Sequence, residues 1–158
     1  MLWQNQLHRD MCQFAEFVAL LSCSLFAGAS VYISLVEHPA RMACGVELAA
    51  TEFPPSYRRA TVMQATLAAL GLLSSLAAWL AGATFWWLVA GGWLGSVIPF
   101  TLIVILPTNK KLLNPTLDTS SAETERLLIR WGGLHAVRSV LSALALLLFL
   151  YLLIFSKS

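Results

Sequence analysis

Residues 134–155 read LHAVRSVLSALALLLFLYLLIF, 22 positions with a single charge, Arg138. As a helix rising 1.5 Å per residue, such a run is about 33 Å long, the thickness of a bilayer's hydrocarbon core. Three other stretches have the same character. Residues 11–36 carry one charge, Glu16, while 60–81 and 84–106 carry none. Lipid offers backbone polar groups no partners, so each run closes its hydrogen bonds internally as a helix. The sequence therefore predicts an all-α protein, a single integral membrane domain over 1–158 built as a four-transmembrane-helix bundle. The composition agrees: 58% hydrophobic and 11% charged, against roughly 25% charged in soluble domains. A net charge of +2 without a Lys/Arg run excludes a nucleic-acid partner. The expected surroundings are membrane lipid and a hydrophobic small molecule.

Ala27-Gly28-Ala29 has the small-x-small form of a signal-peptidase site. The apolar run continues to Val36, however, so an uncleaved first helix is expected. Basic residues set the orientation. Segments 37–59 and 107–133, with Arg138, hold eight of the ten Lys and Arg residues, leaving Arg9 and Lys157 on the other side. Both long loops are thus expected in the cytoplasm and both termini outside, in a cell membrane of bacterial inner type. Trp79, Trp86 and Trp87 flank the turn near Gly82, where an aromatic belt belongs. Cys12, Cys23 and Cys44 form no C-x-x-C pair and read as small core hydrophobes. Ser24 and Gly28 read as a close-packing pair.

Proline and capping signals set the expected helix ends. Pro99 should kink the third helix, and Pro107 should stop it near Leu106. Ser120-Ser121-Ala122-Glu123 fits a capping box that starts a fourth helix of about 50 Å. Helices one and three both end in a proline followed by a basic residue. Helices two and four both open with a basic residue and place a polar one five positions later, Arg59 to Gln64 and Arg130 to His135. Two duplicated helical hairpins would explain this, as would chance likeness between Leu/Ala-rich helices.

Three polar clusters share one membrane face: Glu37-His38-Pro39-Ala40-Arg41, Pro107-Thr108-Asn109-Lys110-Lys111, and Arg130 to Arg138. At 100° per residue Trp131, Leu134 and Arg138 fall within about 60° of each other, with His135 alongside. An arginine inside an apolar run faces the bundle and takes a partner. Glu37, on a stripe with Ser30 and Ser34, is the expected one. His38 and His135 offer a general base or, with Glu37, a two-histidine-one-carboxylate metal site. That site is the less favoured reading, and no cofactor is expected. Gln64, one turn into helix two, reads as a substrate donor or an interhelical hydrogen bond.

Four stretches carry a resemblance: Gly28-Ala29-x-x-Tyr32 with Glu37-His38-Pro39-Ala40-Arg41; Tyr57-x-Arg59 with Met63-Gln64; Pro107-Thr108-Asn109-Lys110-x-Leu112; and Arg130-Trp131-Gly132-x-Leu134-His135-x-x-Arg138. Together they resemble the small four-helix membrane proteins that include the fungal anthrone oxygenases. The resemblance implies oxygen insertion into an anthrone without flavin or haem. The catalytic candidates are then Glu37, His38, Asn109, His135 and Arg138, with Tyr32, Gln64 and Trp131 against substrate. In this reading a histidine removes a proton activated by a ring carbonyl. Arg138, Asn109 or Gln64 stabilises the resulting oxyanion. A non-catalytic accessory or lipid-binding subunit is the alternative. A transporter is disfavoured, because no polar stripe runs through mid-membrane.

Overall fold

The computed structural model describes residues 2–155; Lys157, used in the orientation count, lies outside them. The described residues are helical throughout, apart from short connections. Four composite helices are each long and apolar enough to cross a membrane: span one Gln6–Ala43, span two Val46–Leu80, span three Phe85–Leu112 and span four Ala122–Phe155. They pack as a ring in which one contacts two, two contacts three, three contacts four and four returns to one. The chain is thus a multi-pass membrane protein in length and composition, with Leu, Phe, Ile and Val exposed around its outside.

All four runs lie within helices, but several ends differ from expectation. Span one does not stop near Val36. It widens into a π-helical turn at Ile33–Glu37 and continues through Pro39 to Ala43. Span three does the same, with a π turn at Thr101–Ile105 followed by Leu106–Leu112 across Pro107. A proline ring clashes with the carbonyl four residues back in a regular α-helix. A π turn bonds to the fifth residue instead, so the two turns let each helix run through its proline. Pro99 does interrupt span three, where the helix breaks at Ser96 and resumes at Val97.

Span two begins at Val46, well before residue 60, and contains Pro54 and Pro55. Packing overrides the local signal: Ala49, Ala50 and Phe53 are buried against Leu112, Leu127, Leu128 and Trp131. Span four is capped one residue later than expected, with the Thr124 amide donating to Ser121 Oγ at 3.2 Å. Ser120 instead donates its amide and hydroxyl to Asp118 Oδ1. Those two donors hold the exposed Asp118 carboxyl below its usual range.

Two apolar cores fill the ring. One gathers Ala19, Cys23, Phe26, Ala68, Trp87, Leu94 and Phe149. The other lies towards the basic face, around Ile33, Phe53, Ile105, Leu128 and Trp131. Trp87 therefore belongs to the interior, 5.5 Å from the Phe149 ring, not to an aromatic belt; Trp79 and Trp86 are exposed. Cys23 is a core residue, whereas Cys44 is exposed beside the span one–two connection. Gly28 is exposed, with no close neighbour for an added Cβ. The close approach lies instead between spans two and three, where a Cβ on Gly91 would overlap the side chain of buried Ser75. Lipid supplies no hydrophobic drive between helices, so such contacts carry the packing. Gly91→Ala should therefore destabilise the bundle by about 1–3 kcal/mol, read as earlier thermal unfolding in detergent.

Candidate functional site

Between the two apolar cores lies a layer of polar side chains. Span four contributes Trp131, His135, Arg138 and Ser139; three of these are buried and Arg138 is half-buried. Positions 131, 135 and 138 share a face, and that face turns inward. Arg138 donates from Nη2 to Gln64 Oε1 and contacts His135 Nε2, both at 2.6 Å. Its guanidinium carbon sits 5.8 Å from the centre of the Phe26 ring, within cation–π range. The expected Glu37–Arg138 ion pair is absent. Glu37 pairs with Arg41, one turn along its own helix, and accepts from Ser56 Oγ at 3.2 Å. Arg41 also meets Glu52 at 2.6 Å. A cation at i+4 on the same helix reaches Glu37 without crossing the bundle.

The hydrogen-bond pattern fixes the tautomer of His135. Arginine can only donate, so His135 Nε2 must accept from it. The proton is then on Nδ1, which lies 2.9 Å from Ser34 Oγ. Ser34 Oγ in turn lies 2.8 Å from Ser139 Oγ, which donates to the Ser30 carbonyl at 2.8 Å. The result is a directed chain from Arg138 through His135, Ser34 and Ser139 to a backbone oxygen. It leaves a neutral imidazole whose lone pair points at a guanidinium.

His135 and Arg138 border a cavity of about 30 Å³ whose wall also includes Glu37, Arg41, Tyr57, Gln64, Asn109 and Trp131. That volume accommodates about two water-sized groups. Gln64 Nε2, Asn109 Oδ1 and Arg138 Nε are buried there without a hydrogen-bond partner among the described residues. Asn109 Nδ2 donates to the Tyr57 hydroxyl at 3.2 Å, leaving the phenolic proton available. Gln64, Arg138 and Tyr57 thus supply donors around one accepting imidazole nitrogen. Such a set can bind an oxygen that gains negative charge while a neighbouring base removes a proton.

Of the residues nominated from sequence, Glu37, Asn109, His135, Arg138, Gln64 and Trp131 line this cavity. His38 and Tyr32 do not. His38 is packed 5.1 Å from the Trp131 ring and so close to span four that a Cβ on Gly132 would lie 2.5 Å from its Nε2. Tyr32 is exposed and lines an outer groove between spans one and two. The metal set of His38, His135 and Glu37 does not assemble. Trp131 packs against both imidazoles, Glu37 is held by Arg41, and no cluster of three His, Cys, Asp or Glu side chains occurs among the described residues. Sequence reasoning gives Arg41, Tyr57, Ser34 and Ser139 no role in the site. Arg41 and Tyr57 stand in the motif stretches and Ser34 on the Glu37 stripe, but a serine such as Ser139 in a Leu/Ala helix gives no signal.

A ring of membrane-length helices enclosing a polar, hydrogen-bonded cavity defines a small multi-pass membrane protein with an internal site. Comparison supplies the family: the chain belongs to the anthrone oxygenase family, whose model matches residues 53–148. That segment contains Tyr57, Gln64, Asn109, Trp131, His135 and Arg138. A stretch of 48 residues, 28% of this chain, is 46% identical to Anthrone oxygenase tpcL of Aspergillus fumigatus and covers 30% of that protein. The match therefore spans less than a third of the curated relative's length. No solved structure matches the chain.

Proposed function

We propose that this protein catalyses a cofactor-independent oxygenation of a hydrophobic aromatic, an anthrone or a quinol-like compound, at the cytoplasmic face of a bacterial cell membrane, with both termini outside. The observation that carries the reading is the pairing of one accepting nitrogen, His135 Nε2, with the unpartnered donors Gln64 Nε2 and Arg138 Nε on the wall of one cavity. Family membership and the relative's name support the same chemistry.

The steps balance without a further reductant. Arg138 turns from His135 to the substrate's carbonyl oxygen, and His135 Nε2 is freed. It takes a proton from the methylene that the carbonyl activates, and negative charge moves to the oxygen held by Arg138, Gln64 and Tyr57. The carbanion adds dioxygen, and the peroxide takes the proton back from His135. His135 then takes the second C–H proton as the O–O bond breaks and passes it to the departing hydroxide, giving a new carbonyl and water. Glu37, paired with Arg41, forms part of the cavity wall.

The test is oxygen uptake by purified protein in lipid nanodiscs supplied with anthrone. Dioxygen consumed and anthraquinone formed should match one to one, well above empty discs. Retention of anthraquinone with no oxygen uptake would favour a binding subunit instead.

A further inference from the structure

A second cavity, of about 140 Å³, opens between spans two and three and shares Tyr57, Thr61, Gln64 and Arg138 with the polar one. Its depth is apolar: Phe26, Ala68 and Val97 are each at most 2% exposed. Its mouth is made by Ala65 and Leu102, which lie on the outside of the ring. Two features of the sequence keep it open. Span two presents alanines at 65 and 68, and span three is widened by the π turn at Thr101–Ile105. The cleft thus runs from the outer surface of the ring to Gln64 and Arg138, whose Nε2 and Nε atoms are buried without hydrogen-bond partners among the described residues. An apolar cavity of about 150 Å³ admits one benzene ring.

We infer that this cleft is the substrate's binding trough and its entrance from the bilayer. Its occupant is a planar, uncharged aromatic ketone or phenol. The edge of the ring system that carries the oxygen enters between spans two and three, the oxygen meeting Arg138 and Gln64, while the rest of the molecule stays in lipid at the mouth. The inference deepens the oxygenase reading, on which it rests for the reaction but not for binding. The groove between spans one and two is larger, about 590 Å³, but carries Glu37, Glu52 and Arg59 on its wall, a poor match for an uncharged ring system.

Equilibrium dialysis of anthraquinone against protein in nanodiscs, with empty discs as the blank, tests this. Wild-type protein should bind saturably. Ala65→Phe, at the lipid-facing mouth where folding is not at stake, should weaken binding about ten-fold or more. Ala29→Phe, on the opposite groove, should leave both binding and oxygen uptake unchanged. His135→Ala should still bind. Normal binding by Ala65→Phe, or loss of binding in Ala29→Phe alone, would overturn the cleft while leaving the oxygenase reading intact. Cleft-dependent binding without oxygen uptake from anthrone would uphold the cleft and remove that reading.

Discussion

Replacing Arg138 by leucine should slow anthrone oxidation by about 10²–10³-fold, the loss expected when one preorganised donor to a developing oxyanion is removed. The protein should still insert and fold, because two opposing terms nearly cancel. Taking a charge out of an apolar helix recovers up to about 2.5–3.5 kcal/mol on the insertion scale. Against that, Gln64 Oε1 and His135 Nε2 each lose a partner at 2.6 Å, at about 1–3 kcal/mol apiece. Arg138→Lys separates charge from geometry. Lysine keeps the cation but lacks the planar fork that donates from Nη2 while presenting Nε elsewhere, so its rate should fall between wild type and leucine. Steady-state oxygen uptake and thermal unfolding in detergent, measured on the same preparations, check both halves. A leucine variant with wild-type kcat would remove Arg138 from the chemistry.

His135→Ala should cost about 10²–10⁴ in kcat, the usual contribution of a positioned general base. Its loss should not resemble a binding defect, since the imidazole spends its two nitrogens on Ser34 and Arg138. Ser34→Ala, which removes the acceptor that fixes the Nδ1–H tautomer, should lower kcat less than His135→Ala and leave KM unchanged. A purely structural role for the serine would instead lower stability with kcat intact. Anthrone concentration series on the three proteins distinguish these results.

The membrane character was legible because four apolar runs of bilayer length have few physical alternatives. The helix ends were harder to read. Pro39, Pro54, Pro55 and Pro107 all carry the local signature of a stop, and all four lie within helices. What overrides them is non-local: the burial of Phe53 against Trp131 and its neighbours, and π turns that no residue pattern announces. Helical periodicity succeeds on span four, where the helix is regular and brings Trp131, His135 and Arg138 to one wall. It is less reliable on span one. The π turn at Ile33–Glu37 inserts an extra residue and rotates the helix beyond it out of phase, so His38 packs behind Trp131. Glu37 takes a different partner from the expected one for a simpler reason: Arg41 is nearer than Arg138.

The serine chain behind His135 ends on the Ser30 carbonyl, which has no proton to pass on and cannot relay one. It is an anchor and not a wire to the aqueous phase. In the proposed oxygenation, any hydrogen the imidazole captured on its cavity side would leave by that same side, so each proton taken from the substrate would return to reduced oxygen within a single turnover. The membrane interior would then be an asset: such a reaction would borrow nothing from bulk water and shed no charge into the lipid.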